Sequence, residues 1–175
     1  TGIGHTRWAT HGGPTDANAH PHVSADGSVA IIHNGIIENF VALREELAAR
    51  GVTMLSETDT EAVAHLLADE LPRVDGDLAE AMRIVCRRLE GAFTLVAVTP
   101  TRPDLVALEL GQDQVVELTH DSVRVTDFFG NDVPVTPYTV DWDASAAEKG
   151  GHDTFMLKEI SEQPKAVADS LRGRV

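Results

Sequence analysis

The stretch HTRWATHG, His5 to Gly12, holds an arginine with no acidic residue within five positions on either side. Arg7 therefore has no obvious helix salt bridge. Its guanidinium suits a carboxylate held by two parallel hydrogen bonds, with Thr6, Thr10, His11 and the glycines as small donors around it. On its own, Arg7 reads equally as a surface or structural arginine. In the second stretch, HNGIIEN (His33–Asn39), Asn34-Gly35 follows an apolar run. An asparagine side-chain N–H and a glycine backbone N–H can together line an oxyanion hole, where losing one donor costs roughly 100- to 1000-fold in rate. Asn-Gly is also a common hairpin turn pair, but the residues after it have a helical pattern rather than that of a returning strand. The third stretch is SETDTE, Ser56–Glu61. Asp59 there can cap its own helix or accept a substrate ammonium. Arg7 and Asp59 together would grip an amino acid at both ends, one its α-carboxylate and the other its α-amine.

The other reactive side chains give weaker signals. AHPH, Ala19 to His22, sets two imidazoles on one face if extended, and His5, His11, His33 and His65 could add ligands, which is the pattern of a metal-dependent hydrolase. No recognisable spacing fixes a third ligand. Cys86 lies beside Val85 and Leu89 in an amphipathic helix near its C-terminal end, where the macrodipole disfavours a thiolate, so it reads as a core thiol. Thr1 with a free amine could act as both nucleophile and base.

These residues have to be positioned by elements that apolar periodicity and turn signals outline. Val29–His33 reads as a buried strand ending at Asn34-Gly35. Asn39 is placed to cap a helix carrying Phe40, Leu43 and Leu47 and stopped by Gly51, and Val52–Leu55 reads as a short strand. A second helix, capped by Thr58 or Asp59, presents Val63, Leu66, Leu67 and Leu71 and breaks at Pro72 and Gly76. A third presents Leu78, Met82, Val85 and Leu89 and stops at Gly91. Ala92–Val98 is strand-like, and Gln114–Leu118 with Ser122–Phe128 alternates as a hairpin. Asp141–Gly151 is acidic and rich in small residues. Phe155–Glu162 and Pro164–Leu171 read as two short helices divided at Pro164. Helices beside consecutive hairpins suggest an α+β layering rather than a doubly wound sheet.

Composition narrows the function classes. The 175 residues include 14 Lys+Arg against 28 Asp+Glu, and the net charge of −14 would repel a phosphate backbone. Nucleic acid is thus not an expected partner. No apolar run is long enough to span a bilayer and no signal-peptide pattern opens the sequence, so a soluble, cytoplasmic protein without membrane association is expected. One cysteine excludes an internal disulfide framework.

Taken together, TGIGHTRWATHG, NAHPHVS, HNGIIEN, SETDTE and LKEISEQPKAV resemble the glutamine amidotransferase domains of the class II, N-terminal-nucleophile group, in the form found in the glucosamine-6-phosphate synthase family. The resemblance runs over almost the whole chain. It implies a four-layer αββα sandwich of the N-terminal-nucleophile hydrolase type, here incompletely represented. It implies that Arg7 pairs with the glutamine α-carboxylate with Thr10 and His11 beside it, that Asn34 and Gly35 form the oxyanion hole, that Asp59 binds the α-ammonium, and that Trp8 gates the ammonia path. His20, His22 and His33 take a structural or supporting role. No metal or organic cofactor is implied. The implied partners are glutamine or glutamate and the sugar isomerase domain of a full-length, homo-oligomeric enzyme.

Members of that family begin with a nucleophilic cysteine, and no residue in this sequence matches it. The family places TGIGHTRWATHG well inside the domain, so Thr1 is expected to be an internal residue and not a nucleophile. The expectation is therefore one domain over residues 1–175, lacking the family's N-terminal segment and an internal stretch after Val106. The expected activity is hydrolysis of glutamine to glutamate and ammonia for converting fructose 6-phosphate to glucosamine 6-phosphate. Two alternatives stand beside it: a glutamine-binding regulatory module without turnover, and a metal-dependent hydrolase using the His-Pro-His stretch.

Overall fold

A chain that alternates short β-branched runs with amphipathic segments must pack its helices on a sheet to bury both apolar faces. The computed structural model describes residues 2–6, 12–110, 113–136 and 150–171. Among these residues, β1 (His22–Val23) and β2 (Ala30–Ile37) precede three helices, α1 (Phe40–Ala49), α2 (Thr60–Glu70) and α3 (Leu78–Cys86). Then follow β3 (Gly91–Val98), β4 (Val106–Glu109), β5 (Gln114–Leu118), β6 (Val123–Asp127) and α4 (Phe155–Leu171). Residues up to Val135 form one unit, and those from Thr136 onward, with α4, form a second. Among the described residues no helix is long and apolar enough to cross a membrane.

The strands of the first unit make one antiparallel sheet in chain order, β1-β2-β3-β4-β5-β6. β2 and β3 pair over their full length, from Ala30↔Val98 to Ile37↔Gly91. β1 pairs only with Ala30 and Ile31, so among the described residues the remainder of β2 has a strand on one side alone. Alternation along β2 and β3 sends Ile31, Ile37, Leu95 and Ala97 into the core, where Leu47, Val63, Leu67, Met82 and Val85 of the helices meet them. Each such fully buried large side chain contributes about 1.5–3 kcal/mol.

α2 packs against α1, α3, β1 and β2, and this central place explains its burial. Every residue from Thr60 to Leu67 is buried, including the polar Thr60, Glu61 and His65. α3 is pinned to the far strands by Arg83, whose Nη1 donates to Thr126 Oγ1 at 2.9 Å and whose Nε donates to Glu80 Oε2 at 2.7 Å. Its N-terminus is capped by Asp77, which accepts from the Glu80 N–H at 2.9 Å.

Several expectations change. β2 does not end at Asn34-Gly35 but runs through both residues to Ile37, because β3 continues to pair with it. Asn39 does not cap α1: its Nδ2 donates to Arg88 O at 2.8 Å and its Oδ1 accepts from the Glu90 N–H at 3.1 Å. Val52–Leu55 is not a strand, since no neighbouring strand accepts it and the Leu55 N–H donates to Glu61 Oε1 at 2.7 Å. The third helix ends at Cys86, before Leu89. α4 is one helix passing through Pro164 rather than two. Pro164 removes one backbone donor, and the helix formers before and after it carry the helix across. The acidic stretch Asp141–Gly151 lies outside the described residues but for its last two.

Candidate active site

The site begins with the backbone of β2. Gly35 has φ +118°, and a Cβ placed on it would lie 2.2 Å from Ala92 O and 2.6 Å from Phe93 Cα. Only glycine fits there, because the conformation is closed to L side chains and the backbone of β3 occupies the space a side chain would need. Gly35→Ala is expected to cost about 2–4 kcal/mol by adding backbone strain to overpacking. A lowered urea midpoint with an unchanged m-value would report it, and an unchanged midpoint would contradict it. Asn34 precedes this glycine with an exposed side chain, and its Oδ1 accepts a hydrogen bond from His5 Nε2 at 2.7 Å.

Asp59 stands at the junction before α2, yet it does not cap that helix. Its backbone is helical (φ −67°, ψ −32°) and its side chain makes no cap hydrogen bond. Instead Oδ2 accepts from the Ile37 N–H at 3.0 Å, where β2 has no strand on that side, and Oδ1 lies 3.4 Å from Thr60 Oγ1 and 3.7 Å from His33 Nδ1. The carboxylate is 3% exposed. It is thus tied to the strand that carries Asn34 and Gly35.

The loop before Asp59 is shaped from within. Glu61, buried in α2, reaches back to accept from the N–H groups of Leu55 and Ser56, each at 2.7 Å, and from Ser56 Oγ at 2.6 Å. Burial pushes the Glu61 carboxyl upward, but the Ser56 hydroxyl and the two N–H groups, helped by His65, outweigh it and the net direction is down. Arg44 of α1 closes the other side, with Nη1 on Thr58 O at 3.0 Å and Nη2 on Ser56 O at 2.9 Å. Asn18 and Glu57 form a further clasp. Asn18 Oδ1 accepts from the Glu57 N–H at 2.8 Å, and Asn18 Nδ2 donates to Glu57 Oε2 at 3.0 Å and to Gly13 O at 3.1 Å. The hydrogen bonds from Asn18 and Gly13 hold the Glu57 carboxyl below its usual range.

The histidines pack edge-on rather than around a point. Ring centroids of His5 and His20 are 4.6 Å apart, those of His20 and His22 5.0 Å, and those of His20 and His33 6.5 Å. His22 Nε2 meets Thr58 Oγ1 at 2.9 Å, and His33 Nδ1 meets Thr60 Oγ1 at 3.0 Å. Among the described residues no three His, Cys, Asp or Glu side chains are grouped to hold a metal ion. The AHPH stretch thereby fills the space between β2 and the SETDTE loop. Cys86 is buried, and burial first, then the Glu109 charge, pushes its thiol well up, so it has no nucleophile's environment.

Arg7, Trp8, Thr10 and His11 lie outside the described residues. The residues flanking them do not: His5 reaches Asn34, while Gly13 N donates to Glu57 Oε2 at 3.4 Å. Of the expected site, the structure therefore carries Asn34 and Gly35 on β2, ties Asp59 to Ile37 of the same strand, and anchors both flanks of the Arg7 stretch to that strand or to the SETDTE loop. The supporting residues Asn18, Arg44 and Glu61 were not recognised in the sequence. Glu61 alone left a signal, as a carboxylate in the first turn of a helix following Ser56.

The sequence profile of the glutamine amidotransferase domain matches residues 5–115. The chain belongs to this family. Among curated relatives of this amidotransferase domain, glutamine–fructose-6-phosphate aminotransferase (isomerizing) of Streptomyces coelicolor is 60% identical over 208 residues, covering 100% of the chain and 34% of the relative. The Leifsonia xyli enzyme of the same name is 52% identical, covering 99% of the chain and 33% of the relative. The amidotransferase domain thus spans about a third of the length of the curated relatives it matches. Two solved structures share its fold. One is the Bacillus subtilis glutamine phosphoribosylpyrophosphate amidotransferase complexed with ADP and GMP, at TM-score 0.54 and 18% identity over 71% of this chain and 34% of that one. The other is an allosteric regulatory enzyme of purine biosynthesis, at TM-score 0.56 and 19% identity with the same coverage. The α+β fold is shared with these neighbours, and the described residues contribute its six-stranded sheet and the helices packed on it.

Proposed function

We propose that this domain hydrolyses glutamine to glutamate and ammonia, and that within a longer enzyme the ammonia converts fructose 6-phosphate to glucosamine 6-phosphate on a sugar isomerase domain. The observation that carries the reading is the hydrogen bond from Ile37 N–H to Asp59 Oδ2. It ties the Asp59 carboxylate to the strand bearing Asn34 and Gly35, three residues or about 10 Å from Asn34 at the usual rise, which supports Asp59 as the group that binds the α-ammonium. The relatives' shared name supports the sugar product.

In this mechanism Arg7 holds the α-carboxylate, with Thr10 and His11 beside it, and Asp59 holds the α-ammonium. A cysteine thiolate attacks the side-chain amide carbon, and the resulting oxyanion accepts hydrogen bonds from Asn34 Nδ2–H and Gly35 N–H. The α-amine of that cysteine, which takes the thiol proton, returns it to the amide nitrogen; collapse of the tetrahedral intermediate then expels ammonia past Trp8, and water hydrolyses the thioester to glutamate. Cys86 is the one cysteine of the 175 residues and is too deeply buried for this role. The nucleophile is assigned to the first residue of the natural-length protein. The 208-residue match to a relative exceeds the chain's 175 residues by 33, which supports a stretch of the relatives without counterpart within this sequence; its place after Val106 is part of the proposal. The natural-length enzyme is proposed to be a cytoplasmic homo-oligomer.

The test is turnover of the natural-length protein. Glutamate and ammonia should appear in equal amounts, and Arg7→Ala should raise KM by about 30-fold or more, the loss of a charge-paired substrate contact. Unchanged kinetics in Arg7→Ala would reject the carboxylate role. Activity lost to a chelator and restored by zinc would replace this reading with the metal-dependent one, and glutamine binding without turnover would leave the regulatory module.

A further inference from the structure

The proposed reaction uses Asn34 but does not say what aims its side chain. The amide stands exposed on β2 and could rotate among several orientations, of which one presents Nδ2–H to an oxyanion. His5 restricts that choice. Its Nε2 lies 2.7 Å from Asn34 Oδ1, and a carbonyl oxygen is an acceptor only, so the hydrogen must sit on Nε2. The other ring nitrogen agrees: His5 Nδ1 is enclosed with no hydrogen-bond partner among the described residues, a poor place for the tautomeric proton. The ring is braced from behind by His20, edge-on at 4.6 Å, which in turn contacts His22, itself anchored to Thr58 Oγ1. With Oδ1 engaged by His5, rotation of the amide is restricted and its oxygen and nitrogen cannot exchange places without breaking that bond, which leaves Nδ2 to donate elsewhere.

We propose that His5 is a positioning residue that donates from Nε2 to Asn34 Oδ1 and so orients the Asn34 amide as an oxyanion donor. The proposal rests on the reading of Asn34 as that donor. His5 touches no reacting atom, so its effect falls on transition-state stabilisation and not on holding glutamine in the ground state. Orientation is worth less than the donor itself: a misaligned amide still donates part of the time.

The experiment uses the natural-length protein and compares His5→Leu, His5→Gln, Asn34→Ala and the His5→Leu/Asn34→Ala double variant, with kcat and KM for glutamine as the readout. His5→Leu should lower kcat by about 10-fold or more with KM within about threefold, less than the loss expected for Asn34→Ala. His5→Gln, which can place an amide N–H near the position of Nε2, should recover most of kcat. The double variant should be no worse than Asn34→Ala, since a positioning residue has nothing left to position. His5→Leu with the wild-type kcat, or His5→Gln no better than His5→Leu, overturns the proposal while an impaired Asn34→Ala leaves the glutaminase reading standing. A wild-type rate in Asn34→Ala removes the oxyanion assignment and this proposal with it. Because His5→Leu could unfold the loop, the unaltered protein gives an independent check. A long-range proton–nitrogen NMR spectrum should show the His5 hydrogen on Nε2, and a hydrogen on Nδ1 overturns the inference.

Discussion

Replacing Asn34 with alanine lowers kcat for glutamine hydrolysis by about 100- to 1000-fold and leaves KM within about threefold. The expectation follows from where charge appears. Glutamine's amide oxygen carries partial charge in the ground state and close to a full charge in the tetrahedral intermediate, so a fixed N–H donor stabilises the second far more than the first. Two features support this proposed role of Asn34: its neighbour Gly35 adopts a conformation that brings β3 close beneath the strand, and its Oδ1 is already occupied by His5. The Asn34 side chain is exposed, so truncating it opens no core cavity and should leave thermal stability nearly unchanged. Initial rates of ammonia release across a glutamine range would measure the split. A rise in KM with kcat intact would mean that Asn34 binds substrate without stabilising the oxyanion.

How much of this was legible in the sequence depends on whether the signal was local. α1, α2 and α3 were visible because their apolar residues recur at helical spacing, and β5 was read with the bounds it has. Failures came where a distant partner decides. Asn39 has a capping residue's chemistry, but its amide is taken by Arg88 and Glu90, which lie far along the chain and arrive only once α3 has packed. Val52–Leu55 has strand propensity, but a strand needs a neighbour, and Glu61 takes the Leu55 N–H instead. β1, with two residues, is too short to show a period, and β4 was hidden where the sequence passes directly from PDLV to ALEL. Asn34-Gly35 and Asp59 were recognised as parts of one glutamine site, but the bond that ties them was not. The link is the Ile37 N–H, a backbone atom whose availability depends on β1 pairing no farther than Ile31.

The same link makes Asp59 the other residue with a large expected effect, on binding rather than on rate. Asp59→Asn should raise KM for glutamine by about 30-fold or more, the consequence of losing about 2 kcal/mol or more from a buried charge pairing. Asparagine is the informative substitution because its Oδ1 can still accept from the Ile37 N–H, so the α2–β2 junction keeps its anchor while the negative charge is lost. Alanine removes both and should in addition lower stability by about 1–3 kcal/mol, since the Ile37 donor is then left in a buried place without its acceptor. Kinetics and urea melts on the two variants separate the roles. If both lose stability while neither changes KM, Asp59 is a structural tie between strand and helix; if Asp59→Asn raises KM at wild-type stability, the carboxylate acts on the substrate. The second outcome is expected because an acceptor for Ile37 alone would need no charge, whereas burial beside a helix N-terminus keeps a charge poorly screened and so strong toward an ammonium.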